Sequence, residues 1–459
     1  MNTCPTRRRF LVSVTTNAIG LTILKTASSA WSAQANEKLN IALIGVGGRG
    51  NWFVGAIPQL GQNLVALCDV DADKNPDAYK KLPNARRFQD YRKMIDESSK
   101  SIDAFIVATP DHSHAPASAA AMRAGKPVYC EKPLARTVGE SRRLQELARK
   151  YKAATSMGNQ GTASGQFRRA LELIRDGTMG EIKDVHFWNS AGGQDWKDAP
   201  KAGGTPPESL EWDLWLGPAA YRPYAREWMR WLAWRDFGTS LLGNWASHSA
   251  NLAFMALKVH ELWRNPPQPH PIIKIEAKHT GVNRLSFPKW EIIKWHIPAR
   301  AEFPPITFTW HNGRIAESRD YLEKIIGEEL DWGDKKEKKW VDHGGAIILG
   351  TKGRVRATEH NATVRLLPKE NFADVQINRP EKVAASLGHE MDWLQACRGG
   401  PPAWANFDYA DALNEFLMLG NVATQFEIPL EFDPVSMKIV NNSEADGLLH
   451  CEYRKGWSL

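Results

Sequence analysis

Long apolar runs are missing from this 459-residue chain. No stretch reaches the ~18 residues of a bilayer-spanning helix, so no transmembrane helix is expected after the N-terminus. Cysteine is scarce: of five in the chain, Cys4 lies near the N-terminus and Cys68, Cys130, Cys397 and Cys451 are widely scattered. There is no C-x-x-C pair, no zinc spacing and no dense disulfide framework. Cys68 and Cys130 sit in apolar runs that read as strands, where cysteine acts as a small buried hydrophobe. A strong excess of one charge is also missing. The formal net charge is +7, and residues 1–35 hold four basic side chains and no acid, which leaves +3 beyond them. That is no nucleic-acid signature. The run "DKKEKKW" at 334–340 mixes signs and reads as a solvated loop or helix end. Internal repeats and low-complexity linkers are absent too.

What is present begins with a targeting segment. Arg7, Arg8 and Arg9 form a basic head, "FLVSVTTNAIGLTIL" (10–24) a modest apolar run, and Ala33 and Ala35 a small-residue cleavage pattern before Asn36. Thr6-Arg7-Arg8-Arg9-Phe10-Leu11 resembles the twin-arginine export motif, and the weak hydrophobicity of the run suits that route. Residues 1–35 are therefore expected to be a twin-arginine signal, with the translocase as a partner during export and the periplasm as destination.

From residue 39, apolar strands alternate with helical stretches: "LNIALI", "NLVALCDV", "DAFIVAT" and "KPVYCE" against "PASAAAMRAG" and "TVGESRRLQELARKY". This order predicts a parallel sheet covered on both faces, an α/β dinucleotide-binding (Rossmann) domain over residues 36–158. After residue 160 the texture changes. A helix at 164–177 is followed by strand-like runs at 180–190, 272–282, 290–297, 305–311, 345–349 and 353–357, and a late helix at 406–427. Residues 159–459 are expected to form an α+β domain with a large, open, mostly antiparallel sheet.

"IALIGVGGRG" contains Gly45-x-Gly47-x-x-Gly50 between a strand and a helix-compatible stretch. Gly45 permits a tight turn, Gly47 lets backbone approach a pyrophosphate, and Gly50 lets helix and strand pack closely; Gly48 and Arg49 complete the loop. Asp69 closes the second strand, where an acid accepts from both adenosine ribose hydroxyls and repels a 2′-phosphate. NAD is thus favoured over NADP. "ATPDHSHAP" (108–116) lies at the carboxyl edge of the sheet. Asp111, His112 and His114 are too few and too close for a metal site. Thr109, Pro110 and His114 are assigned to the cofactor wall, with a helix N-cap carrying exposed histidines as the alternative. In "YCEKPLA" (129–135), Glu131 and Lys132 stand at a strand end, where charge must reach solvent or line a site. A lysine near a cationic nicotinamide has a lowered pKa, suited to proton transfer.

"IGVGGRG", "CDVD", "ATPDHSHAP" and "CEKPLA", in that order, resemble the Gfo/Idh/MocA oxidoreductases. "GNQGTASGQFRRALELIRDGTMGEIKDVHFW", "WDLWLGP", "WRDFGTSLLGNWASHSANLAFMAL", "FDYADALNEFLMLGNVA" and the ending "EYRKGWSL" resemble the exported branch of that family. The resemblance implies that Lys132 contacts the reacting hydroxyl and that His248 is the acid/base. The family commonly has Asp four residues before that histidine, where this chain has Asn244, and often Asp three after it, where this chain has Asn251. His248 therefore has less anionic support here. Asn244, Arg230, Arg235 and Asp236 are candidates for the substrate wall. Of the eight tryptophans from Trp188 to Trp245, packing is expected for most and ligand contact for one or two.

The reading that follows is a periplasmic NAD-dependent oxidoreductase acting on a secondary hydroxyl of a carbohydrate or polyol. Folded export would carry the cofactor out, to be recycled in place. One alternative is a redox-neutral glycosidase that oxidises, eliminates, hydrates and re-reduces. Another is a non-catalytic sugar-binding protein with a structural NAD. A homo-oligomer is expected through the open sheet face.

Overall fold

The computed structural model describes residues 38–332 and 343–459. The expected signal at 1–35 and the run at 334–340 lie outside the described residues. Among the described residues no helix is long and apolar enough to cross a membrane.

Six strands form the first sheet: β1 Asn40–Ile44, β2 Asn63–Cys68, β3 Arg86–Phe88, β4 Ala104–Val107, β5 Val128–Cys130 and β6 Thr155–Met157. Their order is β3-β2-β1-β4-β5-β6 and every pairing is parallel. The apolar runs are explained by two-sided burial. Ala42 and Ile44 of β1 enter one core while Ile41 and Leu43 enter the other; Phe105 and Val107 of β4 divide from Ala104 and Ile106 in the same way. This is the two-residue alternation of a strand with helices on both faces. Cys68 and Cys130 are buried, unpaired members of the first core. Strand β3 was not read from the sequence. Its "RRF" is short and two-thirds exposed, so it carries no apolar pattern.

The second sheet has nine strands: β7 Ile182–Asn189, β8 Ile273–His279, β9 Glu291–Ile297, β10 Ile306–Asn312, β11 Gly344–Gly350, β12 Arg354–Thr358, β13 Val364–Leu367, β14 Leu430–Asp433 and β15 Lys438–Ile439. Their order is β13-β12-β11-β7-β10-β9-β8-β14-β15. β7 and β10 run parallel; the other pairings are antiparallel. The inner face offers Phe187, Trp295, Phe308 and Trp310 to the helix Phe407–Ala423, with Trp295 and Phe416 rings 4.5 Å apart. Gly420 is required for that approach, because a Cβ there would sit 2.5 Å from Trp295. The outer face is partly covered by the chain's own helix Ala316–Ile326, which packs on Trp188 and Ile347. Lys274, Glu276, Lys294 and His296 occupy the remainder, where β8 and β9 alternate outward.

Two segments tie the halves together. The helix His389–Cys397 returns to the nucleotide domain, burying Trp393 and Leu394 beside Tyr129. The helix Val138–Tyr151, closed at its start by a capping box between Thr137 and Glu140, packs along Phe407–Ala423. Between them Arg142 donates to the buried Glu415 in a bidentate pair, from Nε at 2.7 Å and Nη2 at 2.9 Å, and Trp263 Nε1 donates to the same carboxylate at 2.7 Å. Burial and the neighbouring Asp411 push the Glu415 carboxyl well above its ordinary range, and Arg142 opposes them. Arg142→Ala strands that carboxylate. The expected loss is about 3 kcal/mol, read as a lower Tm, and it shrinks toward acid pH as Glu415 becomes protonated.

Candidate active site

A cleft of about 550 Å³ runs between the carboxyl edge of the first sheet and the second domain. Its first wall is the glycine loop. Gly45 has φ +86°, and a Cβ there would lie 2.5 Å from the Ala108 carbonyl oxygen; at Gly50 a Cβ would lie 1.9 Å from the Gly45 oxygen. Gly48, at φ +47°, faces open space. The N–H groups of Gly47, Gly48 and Arg49 find no acceptor among the described residues, as an anion-binding turn ahead of a helix requires. Asp69 is held by two backbone donors, Val46 N at 2.9 Å and Asp71 N at 3.1 Å. Burial raises its pKa and these two bonds oppose the rise. The cradle therefore fits a dinucleotide.

Arg49 is not free to meet a phosphate on the ribose. Its Nε donates to Glu131 at 2.9 Å, and its guanidinium lies over Phe53. Glu131 thus anchors the loop from the end of β5. Thr109 and Pro110 line the cleft as well.

His114 lines the cleft but is not exposed: it is 1% accessible. Its Nδ1 lies 2.7 Å from the Pro133 carbonyl oxygen and its Nε2 lies 2.8 Å from that of Thr109. Carbonyls only accept, so both nitrogens must carry protons and the ring is an imidazolium. Burial opposes the charge, but Cys130, Asp111 and the Pro133 carbonyl outweigh it and raise the pKa to about 10. His114 therefore pins the "ATP" loop to the "KPL" turn, and its nitrogens are not available to a ligand. Asp111, fully buried, accepts from Thr239 Oγ1 at 2.6 Å and has a pKa raised to about 6 by desolvation. His112 bonds the Trp215 carbonyl at 2.8 Å. Among the described residues no cluster of three His, Cys, Asp or Glu side chains has metal-binding geometry.

Lys132 and His248 meet across the cleft. Lys132 Nζ donates to the Asn244 carbonyl oxygen at 2.7 Å, and burial lowers its pKa. Asn244 thus contributes its backbone, from the last residue of the helix Ser240–Asn244. His248, one turn on, is 2% accessible, and its Nδ1 has no partner among the described residues. Desolvation first, then Lys132 and His360, pull its pKa well below 6.5. It is a neutral imidazole able to accept a proton. Asn251 is turned away and accepts from Tyr409 OH at 2.6 Å.

The remaining substrate-wall candidates lie elsewhere. All three Arg235 nitrogens are engaged, by the carbonyls of Asn283, Ser286 and Asn421 and by Thr424 Oγ1, and desolvation lowers its pKa to about 9. A structural brace has replaced the expected recognition arginine. Asp236 pairs with Arg222 at 2.5 Å. Arg230 borders a second cavity of about 420 Å³, separated from the cleft by Met229 and Trp231. Most of the tryptophans pack: Trp212 stacks on Trp215 at 4.8 Å, and Trp228 meets Trp234 at the same distance. Trp215, Trp231 and Trp245 reach the cleft.

Lys74, Gln160, His360 and Trp457 line the cleft without having been picked out from the sequence. His360 lies in the β12–β13 turn, its ring 4.5 Å from His248 and its Nδ1 3.4 Å from Glu359. Asn361, at φ +54°, holds that turn by accepting from Leu252 N at 3.0 Å. No local motif marks the turn, so nothing in one sequence points to it.

Residues 39–159 match the model of an oxidoreductase family, GFO_IDH_MocA, with an NAD-binding Rossmann fold. Inositol 2-dehydrogenase of Corynebacterium glutamicum (strain R) is 27% identical over 150 residues, 32% of this chain and 44% of that protein. Levoglucosan dehydrogenase of Pseudarthrobacter phenanthrenivorans is 32% identical over 157 residues, 32% of this chain and 39% of that protein. The matched segment thus spans less than half the length of these curated relatives. Among solved structures, WlbA dehydrogenase from Bordetella pertussis in complex with NADH and UDP-GlcNAcA superposes with a TM-score of 0.54 at 16% identity, covering 86% of this chain and 98% of that one. A levoglucosan dehydrogenase in complex with NADH and L-sorbose gives 0.56 at 17%, covering 86% and 99%. At such identities the likeness is one of fold.

His114→Ala removes both donors and leaves the Thr109 and Pro133 carbonyls unpaired. A loss of about 3 kcal/mol is expected, read in urea unfolding at pH 7. Because the folded pKa is raised above the unfolded value of about 6.5, the wild-type contribution is full below pH 6.5. It declines as pH rises toward about 10, whereas the variant lacks that slope.

Proposed function

We propose, from the premise that this chain belongs to the Gfo/Idh/MocA oxidoreductase family, that it is an NAD-dependent oxidoreductase acting on a secondary hydroxyl of a carbohydrate or polyol. One observation carries the reading. Lys132 Nζ, held on the Asn244 carbonyl, and His248 Nδ1, without a partner among the described residues, belong to the cleft that the glycine loop opens.

The glycine loop and Asp69 would hold NAD, which when bound supplies the hydride acceptor. Lys132 donates a hydrogen bond to the reacting hydroxyl and stabilises the alkoxide that develops. His248, neutral by burial, takes the hydroxyl proton. His360, its ring 4.5 Å from that of His248 and its side chain a third exposed beside Glu359, offers that proton a way to solvent. Asp69 favours NAD over NADP, since its fixed carboxylate repels a 2′-phosphate and Arg49 is committed to Glu131. The names of the relatives, inositol 2-dehydrogenase and levoglucosan dehydrogenase, support a polyol or sugar substrate.

The second cavity favours one further reading. It adjoins the cleft behind Met229 and Trp231 and is lined by Trp196, Leu232 and Phe287. Such a space suits an apolar aglycone, the group that redox-neutral cleavage of a glycoside would expel. Release of nitrophenol from a nitrophenyl glycoside without added NAD distinguishes cleavage from net oxidation.

Export as a folded, NAD-loaded protein belongs to the same proposal, as does a homo-oligomer built on the outer face of the second sheet. Arg7→Lys with Arg8→Lys should hold the protein in the cytoplasm, as fractionation reads, and light scattering reads the assembly.

Protein recovered from cells and denatured should release near-stoichiometric NAD(H); an empty protein that also fails to bind added NAD overturns the assignment. Lys132→Ala should lower kcat by at least about 10²-fold, with nucleotide binding retained. The pH profile of kcat/KM should rise through a pKa below 6.5 as His248 loses its proton. It should fall through one below 10.5 as Lys132 does.

A further inference from the structure

Beyond the short helix Ser443–Gly447 the chain has no helix or strand. A stretch without helix or strand is ordinarily loose, yet this one is tied along its length to both domains. Tyr453 OH donates to Glu140 at 2.6 Å, at the start of the helix Val138–Tyr151. Arg454 donates to the Gly217 carbonyl at 2.6 Å and to Asp213 at 2.5 Å. Arg92, from the nucleotide domain, donates to the Gly456 carbonyl at 3.1 Å.

These ties deliver one side chain to the cleft. The Trp457 indole lies under the Arg92 guanidinium at 4.3 Å, with Arg454 at 5.8 Å and the Tyr91 ring at 6.1 Å. It lines the same cleft as Asp69 and Lys74. Two guanidiniums on one indole fix the ring's position. The segment that Arg454 grips is itself docked there: Ala72 N donates to the Ser209 carbonyl and Glu211 N to that of Val70, both at 2.9 Å. Ordering this many residues costs conformational entropy, and the ring so placed stands at the end of the cleft that Asp69 marks as the ribose side.

We propose that Tyr453–Leu459 is part of the dinucleotide site: a strap joining both domains, whose Trp457 walls the adenosine end of the cleft and slows nucleotide release. This rests on the NAD reading above. A face of aromatic surface beside a purine contributes stacking, and a strap that must lift before the nucleotide leaves acts on the dissociation rate more than on association.

The test uses the full chain, stripped of nucleotide and reloaded with NADH, with dissociation followed by stopped-flow fluorescence during displacement by excess NAD. Trp457→Ala should raise the dissociation rate about tenfold, equivalent to about 1.4 kcal/mol, with little change in association rate or Tm. Trp457→Phe should recover most of the loss. Arg454→Gln, which loosens the strap without altering the ring, should move the rate in the same direction. Equal dissociation rates in wild type, Trp457→Ala and Arg454→Gln overturn the strap and leave the NAD assignment standing. A wild-type protein that binds no NADH overturns both.

Discussion

The hydrogen bond from Lys132 Nζ to the Asn244 carbonyl oxygen joins the two halves at the point where chemistry is placed. The ammonium comes from the end of β5 in the parallel sheet; the carbonyl comes from the last residue of a short helix in the second domain. A lysine taken out of water needs an acceptor, and burial without one would drive off its proton. By meeting that need, Asn244 also sets where His248 lies, four residues along. The contact is one of several that hold the two domains together across the cleft.

Several costly buried charges support that geometry. His114, an imidazolium between two carbonyls, fixes the loop after β4 against the turn after β5. Asp111 reaches across to Thr239 at the start of the helix that ends in Asn244. Arg142 and Glu415 clamp the long helices behind. Each is met by hydrogen bonds with protein groups, and such bonds are directional. Direction is what a site made from two domains requires, since apolar packing alone tolerates sliding.

The glycine loop and Asp69 were legible because their spacing reflects a local necessity. A tight turn between strand and helix leaves no room for a Cβ at Gly45 or Gly50, whatever surrounds it. Lys132 was legible for a related reason, as a charge at a buried strand end. Arg235 misled because a sequence does not tell a brace from a recognition group. Its guanidinium is spent on the carbonyls of Asn283, Ser286 and Asn421. His360 and Trp457 left no local signal. One stands in an ordinary β-turn and the other near the chain end, each brought to the cleft by contacts more than a hundred residues away in sequence.

By itself, then, the sequence determined the alternation that makes a doubly covered parallel sheet, the loop that can cradle a pyrophosphate, and the acid beside it. These depend on strand period, turn sterics and neighbours a few residues apart. Only the tertiary structure decided which histidine is charged and which is neutral, because that depends on the acceptors and cations gathered round each ring. His114 faces two carbonyls and keeps its second proton; His248 lies buried near Lys132 and His360 and gives its proton up.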